Sequence, residues 1–238
     1  MKAFWSIFKS EFKLAGTSPD MLLFGLGFPV GIMLLIGFIS KPMAVQLSFG
    51  GIVAFGISAC GLMGLPLSLS DYRHRKILKR LKATPVSPAL LLGAQALTQW
   101  IFSIISAAMV AAIAVLVFGV RIEGQPWRFA MSFLFVQLAI FSLGFLIAGL
   151  SPNMKAANAA CSLLHFPMIF LSGASVPYEI LPAPLRAVSD FFPLTQGIKI
   201  LKGAVTGAPA SESLIGFVFL GIMALAAYGL AIRFFRWE

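Results

Sequence analysis

Six stretches without Asp, Glu, Lys or Arg, each at least 20 residues long, constrain this chain more than any other feature. They are residues 21–40, 42–70, 83–120, 129–154, 156–178 and 213–232. A helix rises ~1.5 Å per residue, so ~20 apolar residues cross a hydrocarbon core of ~30 Å. The interval 83–120 holds one span rather than two. Pro85 and Pro88 move the helix start to about residue 89, and two spans would leave no turn. Only 11% of the residues are charged and the mean hydropathy is +0.95, against ~25% charged in a soluble domain. The expected fold class is an all-α membrane protein with six transmembrane helices, one transmembrane domain over residues 1–238.

Between the second and third intervals lies a basic stretch, Asp71-Tyr72-Arg73-His74-Arg75-Lys76-Ile77-Leu78-Lys79-Arg80-Leu81-Lys82, then ATPVSP at 83–88. Six of the 18 Lys and Arg residues fall in those twelve positions. Read as a helix over 71–84, it places Ile77, Leu78 and Leu81 on one stripe with cations around the rest. One reading is a docking element; the other is a solvated positive-inside loop that only sets topology. With the N-terminus inside, the inner loops and ends carry 12 Lys and Arg and the outer ones 6, so both termini are expected to be cytoplasmic. The net charge of +10 then reflects loop bias and attraction to anionic headgroups rather than nucleic-acid binding.

Two segments read as non-spanning. Residues 1–18 put Phe4, Trp5, Phe8 and Phe12 on one helical face and Lys2, Lys9 and Lys13 on another, the pattern of an interfacial helix. This is a poor signal peptide and is expected to be retained. Residues 173–212 stay apolar yet hold Pro177, Pro182, Pro184 and Pro193. They predict two helices of two to three turns, too short to cross. On the second, Ile198, Leu201 and Val205 form a stripe opposite Lys199 and Lys202. The expectation is an outer re-entrant hairpin over 175–205 packed on the spans, the alternative an ordinary extracellular loop.

The chain has no GxxxxGK[ST] phosphate loop, no HExxH and no GxSxG. No acidic residue interrupts the six intervals, which argues against an ion-coupled secondary transporter. Cys60 and Cys161 both fall in apolar spans and read as buried free thiols rather than a disulfide or metal pair. His165 is the sharpest polar residue inside a span. It is a site candidate, or else hydrogen-bonds to Gln95, Gln99, Gln137 or Asn158. Phe166 and Phe170, with Phe55, Ala59 and Met63 on the second span, line an apolar cavity in one reading and are plain packing in the other. Gly27/Gly31, Ala107/Ala111, Ala108/Ala112 and Gly144/Ala148 have small-xxx-small spacing.

The order of elements, with ATPVSP at 83–88 and SGASVPYEILPAPLRAVSDFFPLTQGIKILKG at 172–203, resembles the ABC type-2 exporter permeases over essentially the whole chain. The resemblance implies a cytoplasmic coupling helix at 71–84. Tyr72, Arg73, Arg75, Lys76, Lys79 and Arg80 would contact the ATPase there. It implies a cargo cavity at Phe55, Met63, His165, Phe166 and Phe170, and an outer gate at Pro177, Pro182 and Pro193. Its partners are two copies of an ATPase subunit, which hold the ATP and Mg, and a second permease copy or homologue among membrane lipids. No cofactor is expected on this chain, which is a transport subunit and not an enzyme, set in a bacterial inner membrane. Family coupling helices carry glutamates and a Gly-Thr where this chain has His74, Lys76, Ile77 and Lys79, so an acidic partner surface is expected. The implied function is export of apolar or amphipathic small molecules, drug- or antibiotic-like. Lipid or polysaccharide export is the alternative, and a secondary transporter or channel the rival class.

Overall fold

The computed structural model describes residues 2–77, 88–120, 123–174, 178 and 181–234. Among them there is no strand. The helices are α1 (Lys2–Thr17), α2 (Met21–Ile39), α3 (Pro42–His74), α4 (Pro88–Leu116), α5 (Pro126–Leu150), α6 (Met154–Leu171), α7 (Ala183–Ser189), α8 (Pro193–Thr206) and α9 (Leu214–Phe234). Six of these, α2 to α6 and α9, are long and apolar enough to cross a bilayer, α9 being extended by the turn Ala210–Ser213. The spans alternate in direction. One end of the bundle therefore carries the basic stretch, the other the α7–α8 hairpin.

Helix starts follow the proline and Asn signals. Pro42, Pro126 and Pro193 occupy the first turn of α3, α5 and α8, where the missing N–H costs nothing. Asn153 caps α6 by accepting the Ala156 N–H at 2.8 Å. Two π-turns widen the helices, Met21–Gly27 in α2 and Ala59–Gly64 in α3.

α3 is the central helix: every residue from 49 to 62 is buried. It packs against α2, α4, α5, α6 and α8. Glycines make this possible. A Cβ on Gly144 of α5 would lie 2.0 Å from the Gly61 carbonyl oxygen, so these backbones meet directly. Gly50 likewise faces the Lys202 backbone nitrogen of α8, 3.0 Å from its Cβ position. Gly144/Ala148 is thus a true crossing. Gly27/Gly31 is not one within this chain: a Cβ on Gly31 meets nothing within 4 Å. Ala108 and Ala112 are exposed, whereas Ala107 and Ala111 pack on the core.

Several boundaries differ from the sequence reading. The helix expected to begin at Asp71 does not start there. Asp71–His74 are the last turn of α3, which ends at Arg75 and Lys76. No Pro or Gly separates Leu67 from Asp71, so the span runs on into charged sequence until the chain turns at Lys76, whose φ is 56°. Leu78, Lys79, Arg80, Leu81 and the ATPVS segment lie outside the described residues. The α8 helix, 14 residues long, exceeds two to three turns. Its stripe is as expected: Ile198, Leu201 and Val205 are buried, Lys199 exposed. Cys60 and Cys161 are buried free thiols.

Candidate functional site

The basic stretch emerges from α3 with its first residues clasped on two sides. Tyr72 is buried, and its hydroxyl donates to Glu11 Oε2 of α1. Arg73 reaches the opposite way: Nη1 donates to Ser151 O at 2.8 Å and Nη2 to Ala148 O at 2.7 Å. The last carbonyls of a helix have no intrahelical partner and carry partial negative charge. One guanidinium therefore caps α5 and ties its end to the end of α3. Next come Arg75 and Lys76, both exposed, with Arg75 Nε 2.8 Å from Asp71 Oδ2. An exposed pair of this kind contributes only about 0.3–0.5 kcal/mol. Of the six residues implied for ATPase contact, Tyr72 and Arg73 turn inward and Arg75 and Lys76 face outward. Lys79 and Arg80 lie outside the described residues.

α1 is more than a surface float. Phe12 packs on Phe102 of α4, ring centroids 5.0 Å apart, while Trp5 stays exposed. Burial raises the Glu11 carboxyl above its ordinary range, and the Tyr72 hydrogen bond pulls the other way. Replacing Tyr72 by Phe should therefore destabilise the chain by about 1–3 kcal/mol, through a carboxylate left without its donor. A raised acid favours the folded state below its unfolded pKa, and that favour is lost as pH rises through the folded value. The Tyr72→Phe penalty is thus expected to be smallest in acid and to grow with pH, as thermal melts at several pH values in detergent would read.

Midway along the bundle, a row of rings crosses three spans. Phe24 stacks on Phe28 in α2 at 5.3 Å, and Phe28 on Phe55 in α3 at 6.2 Å. Phe55 lies 6.1 Å from the His165 ring in α6, and His165 5.9 Å from Phe166. Phe55 and His165 are buried, whereas Phe24, Phe28, Phe166 and Phe170 are exposed, as is Leu163. Phe55 and His165 thus form the floor of an open aromatic face with α2 and α6 at its edges. Met63 sits half-buried in the α3 π-turn. The structure brings Phe55, His165 and Phe166 together, with Phe170 one turn further along. Sequence reading missed Phe24 and Phe28, although their i, i+4 spacing was visible.

His165 has no hydrogen-bond partner at Nδ1. The four expected partners are engaged elsewhere or unpaired. Gln137 Nε2 donates to Trp100 O at 3.1 Å, and Asn158 Oδ1 accepts from Ser162 at 3.4 Å. The amide oxygens of Gln95 and Gln99 are buried without partners.

At the hairpin end Asp190 is a node. It accepts from Lys199 Nζ at 2.6 Å and from the Tyr178 hydroxyl at 2.8 Å. Its partial burial raises the carboxyl, but these two donors and the Lys199 charge outweigh that and hold it below its ordinary range. Ser189 Oγ donates to Leu171 O at 2.7 Å, fastening α7 to α6. Pro182 precedes α7 and Pro193 opens α8, so each sets a helix start; Pro177 lies outside the described residues. A separate groove of about 500 Å³, lined by Trp127, Phe135, Ile200 and Phe217 among others, holds none of the expected cavity residues.

The chain matches the family model for ABC-2 type transporters over residues 2–206. It is 25% identical to Nodulation protein J of Sinorhizobium fredii (strain NBRC 101917 / NGR234) over 218 residues, 90% of this chain and 81% of that protein. It is 33% identical to Nodulation protein J of Rhizobium leguminosarum bv. viciae over 75 residues, 32% of this chain and 29% of that protein. The match to the Rhizobium meliloti (strain 1021) protein of the same name is 31% over 93 residues, 39% and 34% of the two. In the last two comparisons the chain spans about a third of the relative's length. Six apolar helices in the expected order and a family match over nearly the whole length agree, and this chain is a multi-pass membrane permease of the ABC-2 type transporter family.

Proposed function

We propose that this chain is the membrane half of an ATP-driven exporter, acting as a pair with a second copy or homologue and driven by two separate ATPase subunits. ATP and Mg are held by those subunits. The basic segment that follows α3 presses on the ATPase, with both termini of the permease in the cytoplasm of a bacterial cell. The observation that carries the reading is the double clasp at the base of this segment. A push on the end of α3 reaches α1 through Tyr72 and α5 through Arg73 by direct hydrogen bonds. Coupling of this kind needs rigid elements with two arrangements.

The cargo in this reading is apolar or amphipathic and contacts the aromatic face of α2, α3 and α6. Phe24, Phe28, Phe166 and Phe170 are exposed on that face, so an apolar cargo can reach it. Replacing Phe166 or Phe170 by Ala should raise the cargo concentration for half-maximal transport about tenfold, ~1.4 kcal/mol. A drop in folded yield alone, with transport affinity unchanged, would assign both rings to packing.

Reconstitution tests the whole. Vesicles holding the chain with its ATPase should move cargo only when ATP is supplied, and vesicles holding the chain alone should not. Flux driven by an ion gradient in the second case would place the protein in the secondary-transporter class instead.

A further inference from the structure

The groove beside α8 lies among three helices. α5 and α9 both start at the hairpin end and pack together, with the Phe135 and Phe217 rings 5.1 Å apart. α8 supplies the floor, where Ile200 and Ala204 are buried. Small residues leave the room: Gly203 and Ala204 of α8 and Ala210 before α9 all line it. The volume is about 500 Å³, within the ~300–1,000 Å³ of ordinary small-molecule sites. One side faces away from the bundle, since Met131 and Leu138 in its wall are 62% and 44% exposed.

The two ends of the groove differ. Away from the hairpin end, Leu134, Phe135 and Leu138 offer only methyl groups and ring surface. At the hairpin end stand Trp127 and Arg128, in the first turn of α5. Trp127 is exposed, and Trp gathers at the level of lipid headgroups. Arg128 is the one charged side chain among the described residues that line the groove. Among those residues it makes no ion pair, and its side chain donates a single hydrogen bond, from Nη2 to Ala208 O at 2.9 Å. A guanidinium has five N–H donors, so most of this fork is left for an anion. From Arg128 to Leu138 the groove runs ~15 Å along α5, at ~1.5 Å per residue, about half of a ~30 Å hydrocarbon core. That is the depth of one leaflet.

We propose that this groove is a phospholipid site. One acyl chain lies along α5 between α8 and α9, and the phosphate meets Arg128. The lining selects against other occupants. A peptide or a sugar would bury polar groups where Ser132 and Ser213 are the only hydroxyls among the described lining residues. A neutral chain alone would leave Arg128 without a counter-charge at the edge of the hydrocarbon, whereas a phosphate forms charge-assisted hydrogen bonds with it. Arg128 already holds the carbonyl of Ala208, just past the end of α8. The bound phosphate and that end of the hairpin therefore share one guanidinium, which makes the lipid a brace for α8. The site stands apart from the aromatic face and from the basic segment, so it holds or fails independently of the exporter reading.

The test uses the full chain in neutral-detergent micelles and two photoreactive probes. One is a phosphatidylglycerol with a diazirine near the end of an acyl chain; the other is the diacylglycerol of the same chains. The phosphatidylglycerol should label Leu134, Leu138 and Phe217 at least about fivefold more than Ile222 and Leu225, which are exposed on α9 outside the groove. The diacylglycerol should show no such excess. Arg128→Gln keeps a donor for Ala208 O but removes the charge, and should cut the excess at least about fivefold. Equal labelling of groove and control positions by phosphatidylglycerol would overturn the proposal, leaving only bulk lipid there. The same excess with both probes would overturn the phosphate contact and with it the phospholipid site. Protection of the groove in a chain that migrates as a dimer would overturn it in favour of a second copy. Should Arg128→Gln fail to fold, the wild-type comparison of the two probes decides alone.

Discussion

Reversing Arg75, Lys76 and Arg80 to Glu together is expected to abolish transport and transport-linked ATP hydrolysis while leaving membrane insertion intact. The expectation rests on placement. Arg75 and Lys76 are exposed at the point where α3 turns out of the bundle, and neither holds the fold together beyond the weak Arg75–Asp71 pair. If the partner surface is acidic, three reversals set like charges face to face. Juxtaposition of that kind costs several kcal/mol, so ATPase affinity should fall at least ~100-fold. Arg73 must respond differently. Its guanidinium bonds Ala148 O and Ser151 O, so Arg73→Ala should lower the melting temperature of the permease itself. Comparing the two variants separates docking from internal clasping. Normal export by the triple reversal would remove the basic segment from the coupling path.

The second large effect concerns Gly144. An Ala at this position would put its Cβ 2.0 Å from a backbone oxygen of Gly61, well inside contact distance. The clash is with backbone, not with a side chain that can swing away, so α3 and α5 must separate along their buried contact. Overpacking of a tight interior typically costs 1–3 kcal/mol; here about 3 kcal/mol or more is expected. Gly31→Ala is the matched control. Its Cβ meets open space, and Ala is the better helix former by about 1 kcal/mol. Melts of the two variants in detergent should therefore move in opposite directions or leave Gly31→Ala unchanged. Equal losses would mean that the Gly61–Gly144 crossing is not the tight point of the bundle.

The spans were legible because charge punctuates them. Asp20, Lys41, Lys155 and Arg233 all sit at or beside helix ends. Prolines marked helix starts for the same plain reason, and the stripe of α8 followed from its spacing. Charge misled at one place. Asp71 looked like a boundary, yet α3 runs on to His74, because Arg73 and Tyr72 find partners on neighbouring helices that a linear pattern does not contain. Pairings across the bundle were equally hidden. Nothing in the spacing of α3 says that Gly61 meets Gly144, or that Phe28 stacks on Phe55. Single-helix patterns give faces, not neighbours. His165 was visible as an exception, but its lack of a partner at Nδ1 belongs to the packed structure alone.

A photo-crosslinking residue placed at position 76, in membranes that hold the assembled transporter, probes the central claim most directly. Lys76 is exposed at the turn that leaves α3. Irradiation should join the permease to a nucleotide-hydrolysing subunit carrying a phosphate loop, with the yield changing when ATP is added. Capture of no such subunit, together with labelling of position 76 by an impermeant reagent added outside the cell, would contradict it.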